Sequence, residues 1–162
     1  MQFSIGVEYA FHSLFYMVDL PKNKNLGIRQ IAGLNRIKES YLSKIFTKLQ
    51  KAGIVRSITG VKGGYELARR AEDISFWDII EAIEGNAPFF QCIEIRKNNI
   101  FIDDPSVFTD ECPCLIKVVI SEAEETFRNS LRSKSLRWLY DQVNEGFSDD
   151  KRMAIKEWMK II

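Results

Sequence analysis

The stretch from Leu26 to Arg69 constrains the fold of this 162-residue chain more than any other. Apolar residues recur at helical spacing over 27–34, and a second, longer repeat follows over about 38–52. Two short helices that pack on a core through one face are therefore predicted, with a polar and basic face left over on the second helix. The stripe of the second helix consists of Tyr41, Leu42, Ile45, Phe46 and Leu49.

A glycine-rich hairpin is predicted after the second helix. Gly53 suits a left-handed helix stop, and the runs 54–58 and 65–68 have the composition of short strands. Three glycines in the connecting residues 59–64 permit a tight turn and a close backbone approach to a phosphate. The order helix, helix, hairpin predicts a mainly helical winged helix-turn-helix, in which the second helix reads a major groove and the hairpin forms a wing.

Polar and basic side chains of this segment are the candidate contacts to double-stranded DNA. Those in the early turns of the second helix are placed to reach base edges, whereas the remaining basic residues suit phosphates. Each is equally compatible with an ordinary surface position. The candidate contacts are Arg29, Ser40, Tyr41, Ser43, Lys44, Lys48, Arg56, Thr59, Lys62 and Gly63.

The charge distribution independently favours a nucleic-acid partner. Residues 1–70 contain twelve Lys and Arg against four Asp and Glu, whereas residues 71–162 contain eleven against eighteen. The two parts carry net charges of +8 and −7, within a chain whose total is +1. A basic domain is the electrostatic footprint expected of a protein that binds duplex phosphates, and an accidental asymmetry of a solvated surface is the alternative.

The sequence argues against a membrane protein, a secreted protein and an enzyme. No run of about 18 apolar residues is present, and the N-terminus lacks a signal-peptide pattern, so we expect a cytoplasmic protein without membrane contact. A single histidine and the absence of a phosphate-binding loop or nucleophile triad give an enzyme little support. Three cysteines in such a protein are more typical of thiols, metal ligands or redox groups than of structural disulfides.

Glu8 and His12 form the first candidate ligand pair. They are four residues apart on a helix predicted from about Ser4 to Val18, so they project from one face and can share an ion or a cluster. An exposed or mutually paired helical Glu and His is the alternative.

The three cysteines form the second candidate group. Cys92 follows a predicted helix that ends at Gly85, and Cys112 and Cys114 flank Pro113 before a long helical pattern. Because proline suits the first helical position, Cys112 is the predicted N-cap, where the helix dipole lowers the pKa of a thiol. Cys92 and Cys112 are the primary candidate thiolate ligands, and Cys114 is the reserve ligand, which would replace one of them.

The long helical pattern runs from Pro113 to about Arg132 and is suited to pairing with another helix. Packing within its own chain is the alternative. A further helical pattern covers 149–162. The apolar stripe of the long helix consists of Leu115, Val119, Ala123, Phe127 and Leu131.

Four motifs in this order resemble the Rrf2 family of bacterial transcription regulators: KESYLSKI at 38–45, KAGIV at 51–55, GGYELA at 63–68 and ISFWDIIEAIEG at 74–85. The resemblance spans roughly residues 1–136. It implies a homodimeric DNA-binding regulator with a winged helix-turn-helix domain at 1–85, a cysteine-containing sensor loop at 86–112 and a dimerisation helix at 113–136. Residues 137–162 form a C-terminal helical extension beyond it.

The resemblance also implies a ligand set. Most sensory members of the family have three clustered cysteines, whereas no cysteine lies between Ile93 and Glu111 in this chain. The pattern is more similar to a smaller redox-sensing branch, in which Glu and His of one subunit join two cysteines of the other around a 2Fe-2S cluster. The implied ligands are Glu8, His12, Cys92 and Cys112. Zinc on the same donors, or no cofactor, are the alternatives.

One further expectation depends on the family pattern and concerns the wing. Several relatives have arginine where this chain has Thr59, so Arg56 and Lys62 would have to supply the charge of the wing.

Two other functions stay open: a cluster-free regulator that responds to thiol oxidation or to a small ligand, and a metal-binding or protein-interaction scaffold.

Overall fold

The computed structural model describes residues 2–21, 23–60 and 63–161, and over these residues the chain forms seven α-helices and one two-stranded antiparallel sheet. The mainly helical winged helix-turn-helix with a hairpin wing is therefore confirmed. The elements are α1 (Ile5–Phe15), α2 (Ile28–Asn35), α3 (Glu39–Lys51), β1 (Val55–Ile58), β2 (Gly64–Leu67), α4 (Phe76–Glu84), α5 (Leu115–Arg132), α6 (Leu136–Glu145) and α7 (Asp149–Ile161).

The chain divides into two compact units. The first comprises Met1–Gly85 together with Leu131–Ile162, and the second comprises Asn86–Ser130. The first unit holds the winged helix-turn-helix with α6 and α7. The second unit holds the loop after α4 and most of α5.

The core of the first unit is built from one apolar face of each helix. Helix α1 packs against α3, α4 and α6, since its apolar side chains recur every three or four residues. Burying each large apolar side chain contributes roughly 1.5–3 kcal/mol. Tyr41 departs from the predicted stripe of α3, because it is 39% exposed and meets the ring of Tyr9 edge to face. The largest fully buried side chains include Leu14, Leu26, Ile31, Leu42, Phe46, Leu49, Ile54, Ile74, Ile79 and Leu136.

The wing is anchored by a pairing outside its two strands. Strands β1 and β2 pair antiparallel, with Val55 opposite Leu67 at one end and Ile58 opposite Gly64 at the other. Leu26, just before α2, pairs with Tyr65 of β2 through two backbone hydrogen bonds of 2.9 Å. A Cβ atom at Gly64 would lie only 2.7 Å from the Leu26 carbonyl carbon, so this approach requires glycine.

The two C-terminal helices contact the winged helix-turn-helix. The Phe76 N–H donates to the Lys134 carbonyl at 2.9 Å, and the Leu136 N–H donates to the Ile74 carbonyl at 2.8 Å. These bonds join the starts of α4 and α6. Helix α7 contacts the same unit, since the ring of Trp158 lies edge to face against Tyr16 at 6.4 Å.

Helix α5 buries a carboxylate and exposes apolar side chains. Glu124 is 9% exposed, forms a salt bridge with Arg128 and accepts the Phe89 N–H at 3.0 Å. These contacts hold the beginning of the 86–114 loop on the helix. By contrast, Leu115 and Val119 of the predicted stripe are 75% and 63% exposed. Within the described part of the second unit, the start of the stripe is therefore left uncovered.

None of the helices in the described part of the chain has the length and hydropathy needed to span a membrane.

Candidate nucleic-acid interface and metal site

The polar face of α3 carries the predicted base contacts. Ser40 and Lys44 are exposed on it. The Ser43 hydroxyl instead donates to the Glu39 carbonyl one turn earlier, at 2.8 Å, which leaves its oxygen as an acceptor. Arg29 on α2 lies 3.8 Å from the Glu39 carboxylate, and both side chains are largely exposed. The exposed side chains of Ser40, Tyr41 and Lys44 thus present a hydroxyl, a phenol and an ammonium group on the surface of α3.

Lys48 has a contact that its position on the polar face did not predict. Its ammonium donates to the Ile83 carbonyl oxygen at 2.6 Å, near the end of α4. Helix-end carbonyls lack intrahelical partners, and lysine is a common partner for them. The structure thus gives Lys48 a role in joining α3 to α4, and its contact to phosphate stays a prediction.

The wing presents its polar side chains beyond the core. Arg56 forms an ion pair with Glu66 across the strands, with 2.6 Å between Nε and Oε1. Thr59 is exposed. The Gly63 N–H donates to the Gly60 carbonyl at 2.9 Å, which closes the tip. Lys62, predicted to supply charge here, lies outside the described residues.

Glu8 and His12 lie together at a cavity of the first unit. Both side chains are exposed, as expected for one face of α1, and both line a cavity of about 470 Å³. Neither side chain has a hydrogen-bond or ion-pair partner among the residues that the structure describes. Their oxygen and nitrogen lone pairs are therefore available to a ligand. The rest of the lining is mostly aromatic and apolar: Phe11, Phe15, Tyr16, Phe76, Leu139, Val143 and Phe147.

The predicted cap position of Cys112 is wrong. Helix α5 begins at Leu115, and its first hydrogen bond runs from the Val118 N–H to the Cys114 carbonyl at 3.0 Å, so Cys114 is the N-cap. The backbone N–H groups of Lys117 and Ile116 donate to the Cys114 sulfur, and the first of them contributes most to lowering the pKa of that thiol. Burial opposes this effect.

The surroundings of the three thiols differ. Cys92 and Cys114 are partly buried, whereas Cys112 is exposed. The predicted ligand Cys92 and the reserve ligand Cys114 are therefore less accessible to solvent than the predicted ligand Cys112.

Arg96 organises the loop that carries these thiols, and sequence reasoning missed it. Its guanidinium pairs with Glu94 and donates to the Cys112 carbonyl at 3.0 Å. It also lies over the ring of Phe108, 4.4 Å from the centroid. The Glu94 carboxylate raises the pKa of Arg96 above its ordinary value, so this cation is permanent. No local pattern marks Arg96, because Phe108 and Cys112 are distant from it in the sequence.

The described donors of one chain do not assemble into a complete metal site. Across the described residues, no group of three or more His, Cys, Asp and Glu side chains is arranged to hold a metal ion. Glu8 and His12 belong to the first unit and the cysteines to the second. The donor types, two thiols with an imidazole and a carboxylate, nevertheless fit an iron-sulfur cluster or zinc.

A helix-helix-wing arrangement with an exposed polar face on its second helix defines the winged helix-turn-helix class of DNA-binding proteins. The chain belongs to the Rrf2 family, because the family model described as "Iron-dependent Transcriptional regulator" matches residues 3–142. The family inferred from the four motifs is confirmed.

Similar proteins support this assignment over nearly the whole chain. YwgB of Bacillus subtilis (strain 168) is 30% identical over 159 residues, which cover 98% of this chain and 95% of that protein. The HTH-type transcriptional regulator NsrR of Shouchella clausii is 28% identical over 156 residues, 96% of each chain. The structure of T. potens IscR shares the fold, with a TM-score of 0.66 and 24% identity over 91% of this chain and 92% of that one. The chain is thus a transcriptional regulator of the Rrf2 family.

Proposed function

We propose that this protein is a homodimeric regulator that binds a double-stranded DNA operator and senses redox state through a 2Fe-2S cluster. The ligands would be Glu8 and His12 of one subunit with Cys92 and Cys112 of the other. The observation that carries the proposal is the position of Glu8 and His12, two unpartnered donors at the rim of one cavity. Such a pair supplies half of a four-ligand site.

The apolar stripe of α5 supports the dimer. A helix that exposes Leu115, Ile116 and Val119 while burying Glu124 leaves the beginning of its apolar face uncovered by its own unit. Exposed apolar side chains in a contiguous row are typical of an interface. A second copy of α5 carries the same exposed row, so two copies related by a twofold axis can cover each other's apolar side chains.

The α3 face and the wing support DNA binding. Ser40 and Lys44 project from a helix whose opposite side is locked into the core by Leu42, Phe46 and Leu49. A rigidly held helix can present its polar groups to base edges with little loss of conformational entropy. The wing adds the exposed side chains of Arg56 and Thr59.

The side chains of the proposed site have distinct tasks. Glu8 and His12 are fixed by the helical backbone of α1, and Arg96 fixes the backbone that carries Cys112. When bound, the cluster would supply a one-electron redox couple, with a potential raised by imidazole in place of thiolate. The guanidinium of Arg96 places a positive charge in the loop that carries Cys112.

Subunit mixing tests the proposal. We expect the Glu8→Ala/His12→Ala and Cys92→Ala/Cys112→Ala double variants each to lack the visible absorption of an anaerobically assembled cluster. Mixing the two variants under subunit exchange should restore about one site per heterodimer, since each supplies the half that the other lacks. Heterodimer formation is followed by native mass spectrometry.

Three outcomes decide the result. Restored absorption together with a heterodimer mass supports a site shared between subunits. Heterodimers without absorption refute the shared site. Loss of absorption in Cys114→Ala with retention in Cys112→Ala refutes the choice of Cys112.

A further inference from the structure

The cavity beside Glu8 and His12 has an aromatic lining that the binding of a metal does not require. Its volume of about 470 Å³ lies within the range of small-molecule pockets, roughly 300–1,000 Å³. Its described lining residues all belong to the first unit, in which α1 and α6 pack on each other. The first unit therefore forms by itself a cavity large enough for an organic molecule.

Aromatic rings stand around this cavity. Among its described lining residues they are Phe11, Phe15, Tyr16, Phe76 and Phe147. The ring of Phe15 meets that of Tyr16 at an interplanar angle of 89° and that of Phe147 at 75°, with centroids 5.4 and 6.4 Å apart. Phe11 and Phe76 are closer to parallel, at 39° and 4.4 Å. Rings at steep angles to one another enclose a space from more than one side, as in the aromatic cages that hold organic cations.

The charges at the cavity select the sign of its ligand. The face of an aromatic ring carries the negative part of its quadrupole and attracts a cation, and the Lys151 ammonium already lies over the ring of Phe147, 5.9 Å from the centroid. Glu8 adds a carboxylate, and none of the described lining residues is a lysine or an arginine. An anion would therefore have only His12 as a counter-ion in the lining, whereas a cation meets both the carboxylate and the rings.

We propose that, in the cluster-free protein, this cavity binds an organic monocation, a molecule with an apolar body and one amine. The apolar body lies among the rings, the ammonium group pairs with the Glu8 carboxylate, and the neutral imidazole of His12 accepts one of the ammonium N–H groups. The binding follows from the lining of the cavity. One consequence alone rests on the proposed function: the amine and a cluster cannot use Glu8 and His12 at the same time.

Three probes of similar size and different charge test the binding. Phenylbutylamine is a cation at neutral pH, phenylbutanol is neutral and phenylbutyrate is an anion, and all three share a phenylalkyl body. We expect isothermal titration calorimetry of the full-length cluster-free protein to show that phenylbutylamine binds about tenfold more tightly than phenylbutanol, and that phenylbutyrate binds most weakly. Equal affinity for the three probes, or no binding of the amine, overturns the inference.

Variants of single side chains test the location of the site. Glu8→Gln keeps the size of the side chain and removes its charge, so it should abolish the preference for the amine and leave the affinity for phenylbutanol unchanged. Glu145→Gln is the matched control, because Glu145 is exposed at the end of α6 and is not a lining residue. Its affinity for the amine should equal that of the parent protein. Equal losses in the two variants, or no loss in Glu8→Gln, overturn the assigned site.

The aromatic lining has its own test. Phe147→Leu keeps an apolar side chain but removes a ring, so it should weaken the binding of phenylbutylamine more than that of phenylbutanol. Equal weakening of both probes would show that Phe147 contributes only apolar surface and would refute its contact with the cation. Circular dichroism verifies that the helices are retained in each variant.

Cluster reconstitution separates this inference from the proposed function. Excess phenylbutylamine should lower the visible absorption that the parent protein reaches on anaerobic reconstitution, whereas phenylbutanol at the same concentration should not. Full absorption in protein saturated with the amine refutes the competition and leaves the binding site standing. Absorption that fails to develop without any probe refutes the cluster, again without affecting the amine site. A cluster that forms in a protein that binds no amine overturns this inference alone.

Discussion

The Lys48 ammonium lies 2.6 Å from the Ile83 carbonyl oxygen and so joins the recognition helix α3 to the end of α4. Lys44, one turn earlier on the same helix, is exposed and has no such bond among the described residues. Two lysines that look equivalent in the sequence therefore differ in their surroundings. The first prediction uses this difference.

Lys48→Ala should lower the free energy of unfolding by about 1 kcal/mol, because a helix-end carbonyl loses its donor. Lys44→Ala should leave stability unchanged, weaken operator binding and reduce the salt slope of the affinity by about one. Chemical denaturation and DNA binding at two salt concentrations measure both effects. Equal stability of the two variants, or unchanged affinity in Lys44→Ala, contradicts the assignment.

The second prediction concerns the glycine at the anchored strand of the wing. A Cβ atom at Gly64 would lie 2.7 and 2.8 Å from the carbonyl carbon and oxygen of Leu26, so Gly64→Ala should cost about 1–3 kcal/mol and weaken DNA binding. Gly33→Ala in α2 is the matched control, since nothing lies within 4 Å of its Cβ position. It should be neutral or stabilise by up to about 1 kcal/mol. Thermal and urea unfolding distinguish the two.

The third prediction concerns the buried carboxylate of α5. Glu124→Ala should destabilise the protein by about 3 kcal/mol, because it leaves Arg128 without its carboxylate and the Phe89 amide without its acceptor. Faster hydrogen exchange at the Phe89 amide should accompany the loss. Glu122→Ala removes the same charge from an exposed position of the helix and should change neither quantity. Unchanged exchange in Glu124→Ala would show that the loop is held in another way.

The fourth prediction concerns the exposed stripe of α5. Val119→Glu places a charge in the proposed dimer interface and should shift the protein from dimer to monomer in analytical ultracentrifugation, at unchanged helix content. Ser121→Glu, an exposed position off the stripe, should remain dimeric. A dimeric Val119→Glu protein would exclude this face as the interface.

The fifth prediction is a pH dependence. Burial raises the pKa of Tyr140 above its ordinary value of 10.0. The unfolded chain therefore ionises first as the pH rises, and stability falls between the ordinary pKa and the raised one. Tyr140→Phe lacks this group, so its unfolding free energy should fall less between about pH 8 and about pH 11. Identical pH slopes of the two proteins would refute a raised pKa.

The sequence predicted the helices and the wing because their signals are local. The stripe of α3 reappears in the structure as Leu42, Ile45, Phe46 and Leu49 in the core, since helical spacing alone places these side chains on one face. The pairing of Leu26 with Tyr65 was missed, because a single bridged residue has no pattern of its own. The i, i+4 spacing of Glu124 and Arg128 could have indicated their salt bridge, but it does not indicate that both side chains are buried.

The cysteine loop shows where sequence reasoning stopped. Pro113 suited the first helical position by local preference, yet α5 begins two residues later, at Leu115. Arg96 takes the carbonyls of Cys112 and Pro113, so these oxygens accept hydrogen bonds from a distant side chain and not from the helix. This long-range contact overrides the cap rule and makes Cys114 the residue at the helix start.

The sequence by itself determined the family, the winged helix-turn-helix and the donor types available to a metal, because each depends on residue identity and short-range spacing. Tertiary structure decided which lysine bonds to the end of α4, which carboxylate of α5 is buried and which cysteine stands at the start of α5. These outcomes depend on side chains brought together from distant segments. Their contacts are set by the packing of the whole unit, which no local pattern encodes.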